Sequence, residues 1–144
     1  MQAQSYQKHA RYIPLWHFLF SAILTACLAA SIWNLLRSLE NHSGRLAGAT
    51  LLGLSIGGLI LFWYARRFAL VAQDRAIRSE ENLRHFALTG KLLNSSLTMS
   101  QIIALRFAAD TEFLLLADKA AKENMKSKDI KMAIVNWRPD NHRV

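Results

Sequence analysis

The chain has 144 residues, a formal net charge of +8 and an apolar content of 52%. This length accommodates one small unit and excludes a large multidomain enzyme. Cys27 has no second cysteine to pair with, which excludes an intrachain disulfide. A basic balance is compatible with nucleic-acid binding, but in a membrane protein it more often marks the cytoplasmic face and its anionic lipids.

Two long segments in the first half of the chain contain no charged side chain, residues 12–36 and residues 46–65. A helix needs roughly 20 mainly apolar residues to cross a bilayer core of about 30 Å. We therefore expect a transmembrane hairpin at 13–65, with spans at about 13–36 and 46–65. The first segment is longer than the roughly 7–15 apolar residues of a signal peptide, and a second span follows it closely, so we interpret it as a span.

Basic residues are distributed unevenly around the two spans. The short connection at 37–45, which we expect to be extracytoplasmic, holds two arginines. The N-terminal tail (1–12) and the segment after the second span together hold six close to the membrane, here called the basic collar: Lys8, Arg11, Arg66, Arg67, Arg75 and Arg78. Because basic residues near span ends favour the cytoplasmic side, both termini are predicted to be cytoplasmic. The collar is expected to contact anionic lipid or a partner.

Small residues recur at a spacing of four in both spans. The pairs Gly44–Gly48 and Gly53–Gly57 have this spacing in the region of the second span, and Ala22, Ala26 and Ala30 have it in the first. Small residues at this spacing let helix backbones approach closely, which predicts helix packing at these positions. Glycine and alanine are also common in membrane helices generally. The partner could be the other span, another copy of the chain or another protein.

Neither span contains Asp, Glu, Lys or Arg, the residues that usually mark proton relays and ion pathways. An autonomous pump or carrier is therefore disfavoured, although a homo-oligomeric pore stays open. His17 lies near the start of the first span and could ligate a haem or chlorin, or contact a cofactor of a partner subunit. A histidine beside Trp16 is also an ordinary residue at headgroup level.

The second span is predicted to continue as a cytoplasmic helical stalk over 66–90. No proline interrupts it, and Gly90 is expected to cap its C-terminus. Apolar residues fall near one face at steps of three, four and seven: Ala69, Ala72, Ala76, Leu83 and Phe86. The same spacing is compatible with a coiled coil, but this apolar face is short and rich in alanine, and we predict a single helix.

Residues 91–144 are predicted to form a small cytoplasmic module of three short helices. Thr98 and Gln101 match a capping box at the first, and Asp110 and Ser127 are expected to cap the second and third. Arg138-Pro139 is expected to end the third helix. Helices this short are marginal alone and must bury apolar side chains against each other, the stalk or a partner. The expected core is Phe107, Phe113, Leu116, Ile130, Ile134 and Trp137, with Val135 on the same apolar side.

The sequence has no recognisable catalytic or metal-binding motif. It lacks CxxC, HExxH and P-loop patterns, and no two histidines have the spacing of a helical metal site. The carboxylates alternate with lysines and arginines, which is typical of a solvated charged face. We predict that the protein is not an enzyme and has no cofactor and no metal ion.

Three segments are distinctive in composition, Ala72 to Arg78, Gln101 to Asp110 and Asn136 to Asp140, with shorter ones elsewhere along the chain. In these segments the chain resembles a family of short two-span bacterial membrane proteins of unknown function. The resemblance implies a bacterial inner-membrane location. It supplies no activity and no catalytic residue.

Two functions are compatible with these observations. The favoured one is an accessory or structural subunit that packs its spans into a larger inner-membrane complex and presents a cytoplasmic helical module. The alternative is a membrane-tethered module that binds anionic lipid, a nucleotide or nucleic acid through Lys119, Lys122, Lys126, Lys128 and Lys131. Nucleic acid is the weaker candidate, because acidic residues are interspersed among these lysines.

Overall fold

The computed structural model describes residues 13–140, and within them the protein is all-α. A π-helical segment, Leu15–Phe20, leads into helix α1, Ser21–Glu40, and α2 covers Arg45–Thr89. Three shorter helices follow: α3, Met99–Leu105; α4, Asp110–Glu123; and α5, Ser127–Ala133. These residues divide into two units, the hairpin unit (13–68) and the C-terminal unit (69–140).

The hairpin unit contains α1 and the first half of α2. The turn between them occupies 41–44, where His42 and Gly44 have positive φ angles of 56° and 69°. Helical structure therefore extends into the predicted connection at 37–45. The physical reason is that an arginine ends an uncharged segment but does not end a helix. Arg37 continues α1, and its guanidinium lies 5.2 Å from the centre of the Trp33 ring, one turn earlier on the same helix.

Two helical stretches are long and apolar enough to cross a membrane, Leu15–Glu40 and Arg45–Thr89. Each contains a segment with a mean hydropathy of 1.9, of which only 6% is buried within the protein. The large apolar side chains of these segments, Leu54 and Trp63 among them, are mostly exposed. Protein atoms of the described region thus cover very little of this apolar surface.

Helix α2 is continuous for 45 residues and ends at Thr89. The Gly90 N–H donates to the Phe86 carbonyl at 2.7 Å, and its φ of +73° lies in the left-handed region where a side chain would be strained. The predicted helix over the stalk residues and its glycine end are both confirmed.

The C-terminal unit folds around one apolar core. Its fully buried large side chains are Leu97, Ile102, Leu105, Phe107, Phe113 and Ile130. The capping box at the start of α3 is confirmed: the Thr98 N–H donates to Gln101 Oε1 at 2.7 Å, and the Gln101 N–H donates to Thr98 Oγ1 at 3.4 Å. Trp137 is half-buried against the core, whereas Val135 is 80% exposed, contrary to its predicted apolar contact.

Two predicted helix caps are wrong by one residue. Asp110 and Ser127 are the first residues of α4 and α5, and the capping positions are Ala109 and Lys126, neither of which makes a side-chain cap. Asp110 instead uses its carboxylate for an ion pair with Arg84, a partner that lies far away in the sequence.

Helix α5 ends at Ala133, several residues before the predicted end at Arg138-Pro139. The chain beyond it is extended, because it pairs with the connection between α3 and α4. Ala109 N–H donates to the Asn136 carbonyl at 3.1 Å, and Arg138 N–H donates to the Phe107 carbonyl at 2.7 Å. These backbone partners satisfy the segment that sequence periodicity had assigned to a helix.

The apolar face predicted for the stalk is not the face of α2 that the C-terminal unit buries. Leu83 and Phe86 are 67% and 51% exposed, whereas Ile77 and Glu81 are 6% and 4% exposed. The charged Glu81 occupies this buried face because ion pairs compensate its charge there.

Candidate functional site: a charged cleft in the C-terminal unit

The centre of the candidate site is a buried carboxylate. Helix α2 places Glu81 one turn after Ile77, on the face that packs against the C-terminal helices. Glu81 Oε2 lies 3.0 Å from Arg84 Nη1, and its Oε1 lies 3.8 Å from Arg138 Nη1. A buried carboxylate is costly unless it is paired, so the two guanidinium groups account for its burial.

Arg84 links three parts of the C-terminal unit. Its Nε donates to Asp110 Oδ1 at 2.7 Å, and its Nη2 donates to the Ala108 carbonyl at 2.7 Å. Its guanidinium carbon lies 4.1 Å from the centre of the Phe113 ring. Asp110 also lies at the N-terminus of α4, where a negative charge interacts favourably with the helix dipole. Arg84 therefore fixes α2 to the start of α4.

A cleft of about 310 Å³ opens beside Glu81. Arg106, on its wall, is 9% exposed, and its Nε lies 3.2 Å from Asp140 Oδ2. The Arg138 side chain is 55% exposed, so among the described residues lining the cleft it is the more accessible of the two arginines. The lining residues are Gln73, Ala76, Ile77, Glu80, Glu81, Arg106, Arg138, Pro139 and Asp140.

The chemistry of these lining residues suits recognition of a polar group. Guanidinium groups bind carboxylate and phosphate oxygens in a forked geometry. Among the described residues that line the cleft, none is Ser, Cys, His or Lys. Among residues 13–140, no group of three or more His, Cys, Asp or Glu is placed to hold a metal ion.

The lysines of the alternative function do not line this cleft. Lys119, Lys122, Lys126 and Lys128 are exposed, and Lys131 is half-buried. Lys122 Nζ donates to Asp118 Oδ2 at 2.7 Å, an i,i+4 pair on the surface of α4. Lys131 Nζ lies 5.8 Å from the centre of the Phe107 ring.

The predicted helix-packing positions fall into two groups. Gly48 is buried, and a Cβ built on it would meet the Cα of Leu35 in α1 at 3.1 Å. A Cβ built on the half-buried Gly58, which the sequence analysis did not select, would meet the side chain of Leu24 in α1 at 3.4 Å. Built Cβ atoms at Gly53 and Gly57 meet nothing within 4 Å. Ala22, Ala26 and Ala30 are exposed.

The basic collar is only partly described. Lys8 and Arg11 lie outside residues 13–140, Arg66 is half-buried, and Arg67, Arg75 and Arg78 are exposed. Glu81 pairs with Arg84 and Arg138 and with neither Arg75 nor Arg78. The two distal collar arginines therefore remain accessible to other groups.

Two carboxylates that make contacts within the C-terminal unit were missed by the sequence analysis, which placed them on a solvated face. Glu81 is buried in the network described above. Glu112 accepts hydrogen bonds from the N–H groups of Val135 and Asn136, at 3.1 and 2.9 Å. The spacing of Glu81 and Arg84, three residues apart on a helix, was a signal for the first. No local signal identifies the partners of Glu112.

The model of a family of unknown function (DUF6526) matches residues 1–144. The chain belongs to this family. The match confirms the resemblance to a family of unknown function and assigns no activity. Neither the curated proteins nor the solved structures include a significant match to the chain.

Proposed function

We propose that the protein is an accessory or structural subunit, without enzymatic activity, of a larger bacterial inner-membrane complex. In this proposal α1 and the first half of α2 form a transmembrane hairpin, both termini are cytoplasmic, and the C-terminal unit is an interaction module. The observation that carries the proposal is the exposure of the hairpin: only 6% of the most apolar segment of each candidate span is buried. Such a surface requires lipid or other apolar helices to cover it.

The hairpin also has room for a further helix. Gly53 and Gly57 lie one helical turn apart, and a Cβ built on either of them meets no atom within 4 Å, so the backbone is uncovered there. Bare backbone of this kind allows another transmembrane helix to approach closely. The absence of any charged side chain from Leu46 to Ala65 favours an accessory role over ion transport.

The ion pairs of the C-terminal unit support an interaction role over catalysis. Glu81 pairs with two arginines, and Arg106 lies within ion-pair distance of Asp140. Paired charges of this kind hold segments of a module together and give a surface of fixed shape.

Co-purification tests the proposal. The full chain, extracted from native membranes in a mild detergent, is expected to carry defined inner-membrane proteins with it. The double variant Gly53→Ile/Gly57→Ile is expected to lose them, because its side chains hold the backbones apart. The matched control is Leu54→Ile/Leu61→Ile, which changes exposed side chains of similar size on the same helix. Co-purification of the partner at wild-type yield by the glycine variant would contradict the proposal.

Accessibility labelling tests the orientation. In a Cys27→Ser background, a cysteine at Ser43, in the exposed turn between α1 and α2, is expected to react with an impermeant reagent from outside the inner membrane. A cysteine at Lys128, exposed on α5, is expected to react only after the membrane is opened. Reaction of both sites in intact spheroplasts would refute the orientation.

The charged cleft favours a second candidate function, a membrane-tethered module that binds anionic lipid, a nucleotide or nucleic acid. The half-exposed Arg138 is the group that would contact a phosphate. A fluorescent nucleotide titrated onto the detergent-solubilised chain would then bind saturably, and Arg138→Gln would weaken it. Equal signals from both proteins would count against the cleft as the site.

A further inference from the structure

One face of α2 in the C-terminal unit is regularly spaced and uncovered. Its positions alternate steps of three and four residues: Ala69, Ala72, Ala76, Ser79, Leu83 and Phe86, here called the seam face. Leu83 and Phe86 are 67% and 51% exposed. The C-terminal helices bury the other side of α2, through Ile77 and Glu81, and every seam position after the half-buried Ala69 is exposed. Ala76 and the adjacent Glu80 also line the charged cleft.

Two opposite charges flank the seam face. Arg75 immediately precedes Ala76, and Glu80 immediately follows Ser79. Both side chains are exposed, and neither makes an ion pair within the described part of the chain. In heptad terms Arg75 occupies a g position and Glu80 the following e position.

The orientation of these charges selects one arrangement of two helices. In a parallel pair of identical helices, a g residue of one helix meets the e residue five positions later on the other. Arg75 of each copy would then meet Glu80 of the second copy, twice in a symmetric dimer. An antiparallel pair would bring g against g and e against e, which places like charges together.

We propose that the seam face binds the seam face of a second copy of this chain, in parallel. This inference rests on the proposed membrane location, because copies inserted in one membrane share one orientation and their α2 helices run parallel. Alanine at the first three seam positions allows close approach, and Leu83 and Phe86 supply the apolar contact. Confinement to a membrane raises the effective concentration of the second copy and offsets the weakness of a short, alanine-rich seam.

Disulfide formation in native membranes tests the contact. In a Cys27→Ser background of the full chain, Ser79→Cys and Leu83→Cys are expected to form dimers on mild oxidation, because Cα atoms within about 7 Å can be bridged. Val71→Cys and Leu88→Cys are matched controls, since both are exposed on α2 but lie off the seam face. Equal dimer yields on and off the seam, or none on it, would overturn the inference.

Charge reversal tests the parallel pairing. Arg75→Glu and Glu80→Arg, each added to Ser79→Cys, are expected to lower the dimer yield roughly threefold to tenfold, because two like-charge pairs replace two attractive ones. Co-expression of the two variants under different tags is expected to restore a mixed dimer, in which both pairs are attractive again. Failure of the mixed dimer to form, with each single variant still reduced, would overturn the parallel arrangement.

The same membranes separate this inference from the proposed function. Carbonate extraction of each variant reports whether the chain is inserted. An inserted chain without seam disulfides refutes the dimer and leaves the membrane location intact. A chain released into the carbonate extract is not inserted, and this result refutes both the dimer and the membrane location.

Discussion

The two units of the molecule differ in where their polar side chains find hydrogen-bond partners and in how much apolar surface they bury. In the hairpin unit, hydroxyl groups bond to carbonyls one turn earlier on the same helix: Ser21 to His17, Thr25 to Ser21, and Thr50 to Leu46. In the C-terminal unit, polar side chains reach across the sequence, as Arg84 does to Asp110 and Glu112 to Asn136. The first unit bonds these hydroxyl groups within a helix and leaves most of its large apolar side chains exposed, whereas the second buries a core.

This difference shows which surroundings each unit suits. A helix that satisfies every polar group by itself tolerates an apolar phase, where water supplies no partners. A unit that depends on core burial and long-range ion pairs derives its stability from the contrast with water. Substitutions should therefore have different consequences in the two units, and the following experiments measure that difference.

Core truncation should give the largest effect and confine it to the C-terminal unit. Phe113 is fully buried, and Phe113→Ala is expected to destabilise this unit by about 3–5 kcal/mol through lost burial and a residual cavity. Hydrogen exchange of the full chain in detergent should show faster exchange of α3, α4 and α5 amides, with α1 unchanged. Leu115→Ala, 79% exposed on the same helix, is the control. Equal acceleration in α1 would show that the two units unfold together.

Disruption of the buried ion-pair network should have the next largest effect on stability. Glu81→Gln keeps the shape of the side chain but leaves Arg84 without one of its carboxylate partners, at a cost of about 1.5–3 kcal/mol. Pulse proteolysis of the full chain in urea measures this loss as a lower midpoint. Glu123→Gln, exposed at the end of α4, should shift the midpoint little. Matching midpoints for the two variants would mean that the network adds no stability.

Within the hairpin unit, the position of a glycine should decide the outcome. Gly48→Ile forces side-chain atoms against Leu35 and is expected to cost about 1–3 kcal/mol of α1–α2 packing, whereas Gly53→Ile meets open space. A disulfide between Cys27 and a cysteine at Ser55 reports the packing, since Ser55 Oγ lies 3.5 Å from the Cys27 carbonyl. The yield of this disulfide should fall in the Gly48→Ile variant and stay unchanged in the Gly53→Ile variant. A parallel fall in both variants would contradict the assigned faces.

The smallest effect is expected at the boundary between the units, in the basic collar. Arg66→Gln/Arg67→Gln should reduce correct insertion, since each basic residue near an anionic leaflet contributes about 1 kcal/mol. Arg75→Gln/Arg78→Gln should spare insertion and weaken association with the second copy or a partner. Measuring the inserted fraction and co-purification for both variants separates the roles. Identical behaviour would identify the collar as a single electrostatic anchor.

The sequence alone determined the features that depend on local composition and period. The two long uncharged segments, the glycine end of α2 at Gly90 and the capping box at Thr98 were all readable before the fold was known. The helix end and the capping box depend on residues within one or two turns of one another, and the uncharged segments depend on composition alone, so none of them required knowledge of a distant contact.

Tertiary structure alone decided the features that depend on distant partners. Arg138, far along the chain, joins the neighbouring Arg84 in pairing with the buried Glu81, and the extended segment after α5 pairs with backbone groups of Phe107 and Ala109. The division of the glycines was decided in the same way, since Gly48 packs on α1 and Gly53 does not. Sequence spacing gives the relative positions of residues around a helix, but which side meets a neighbour depends on how the helices are packed.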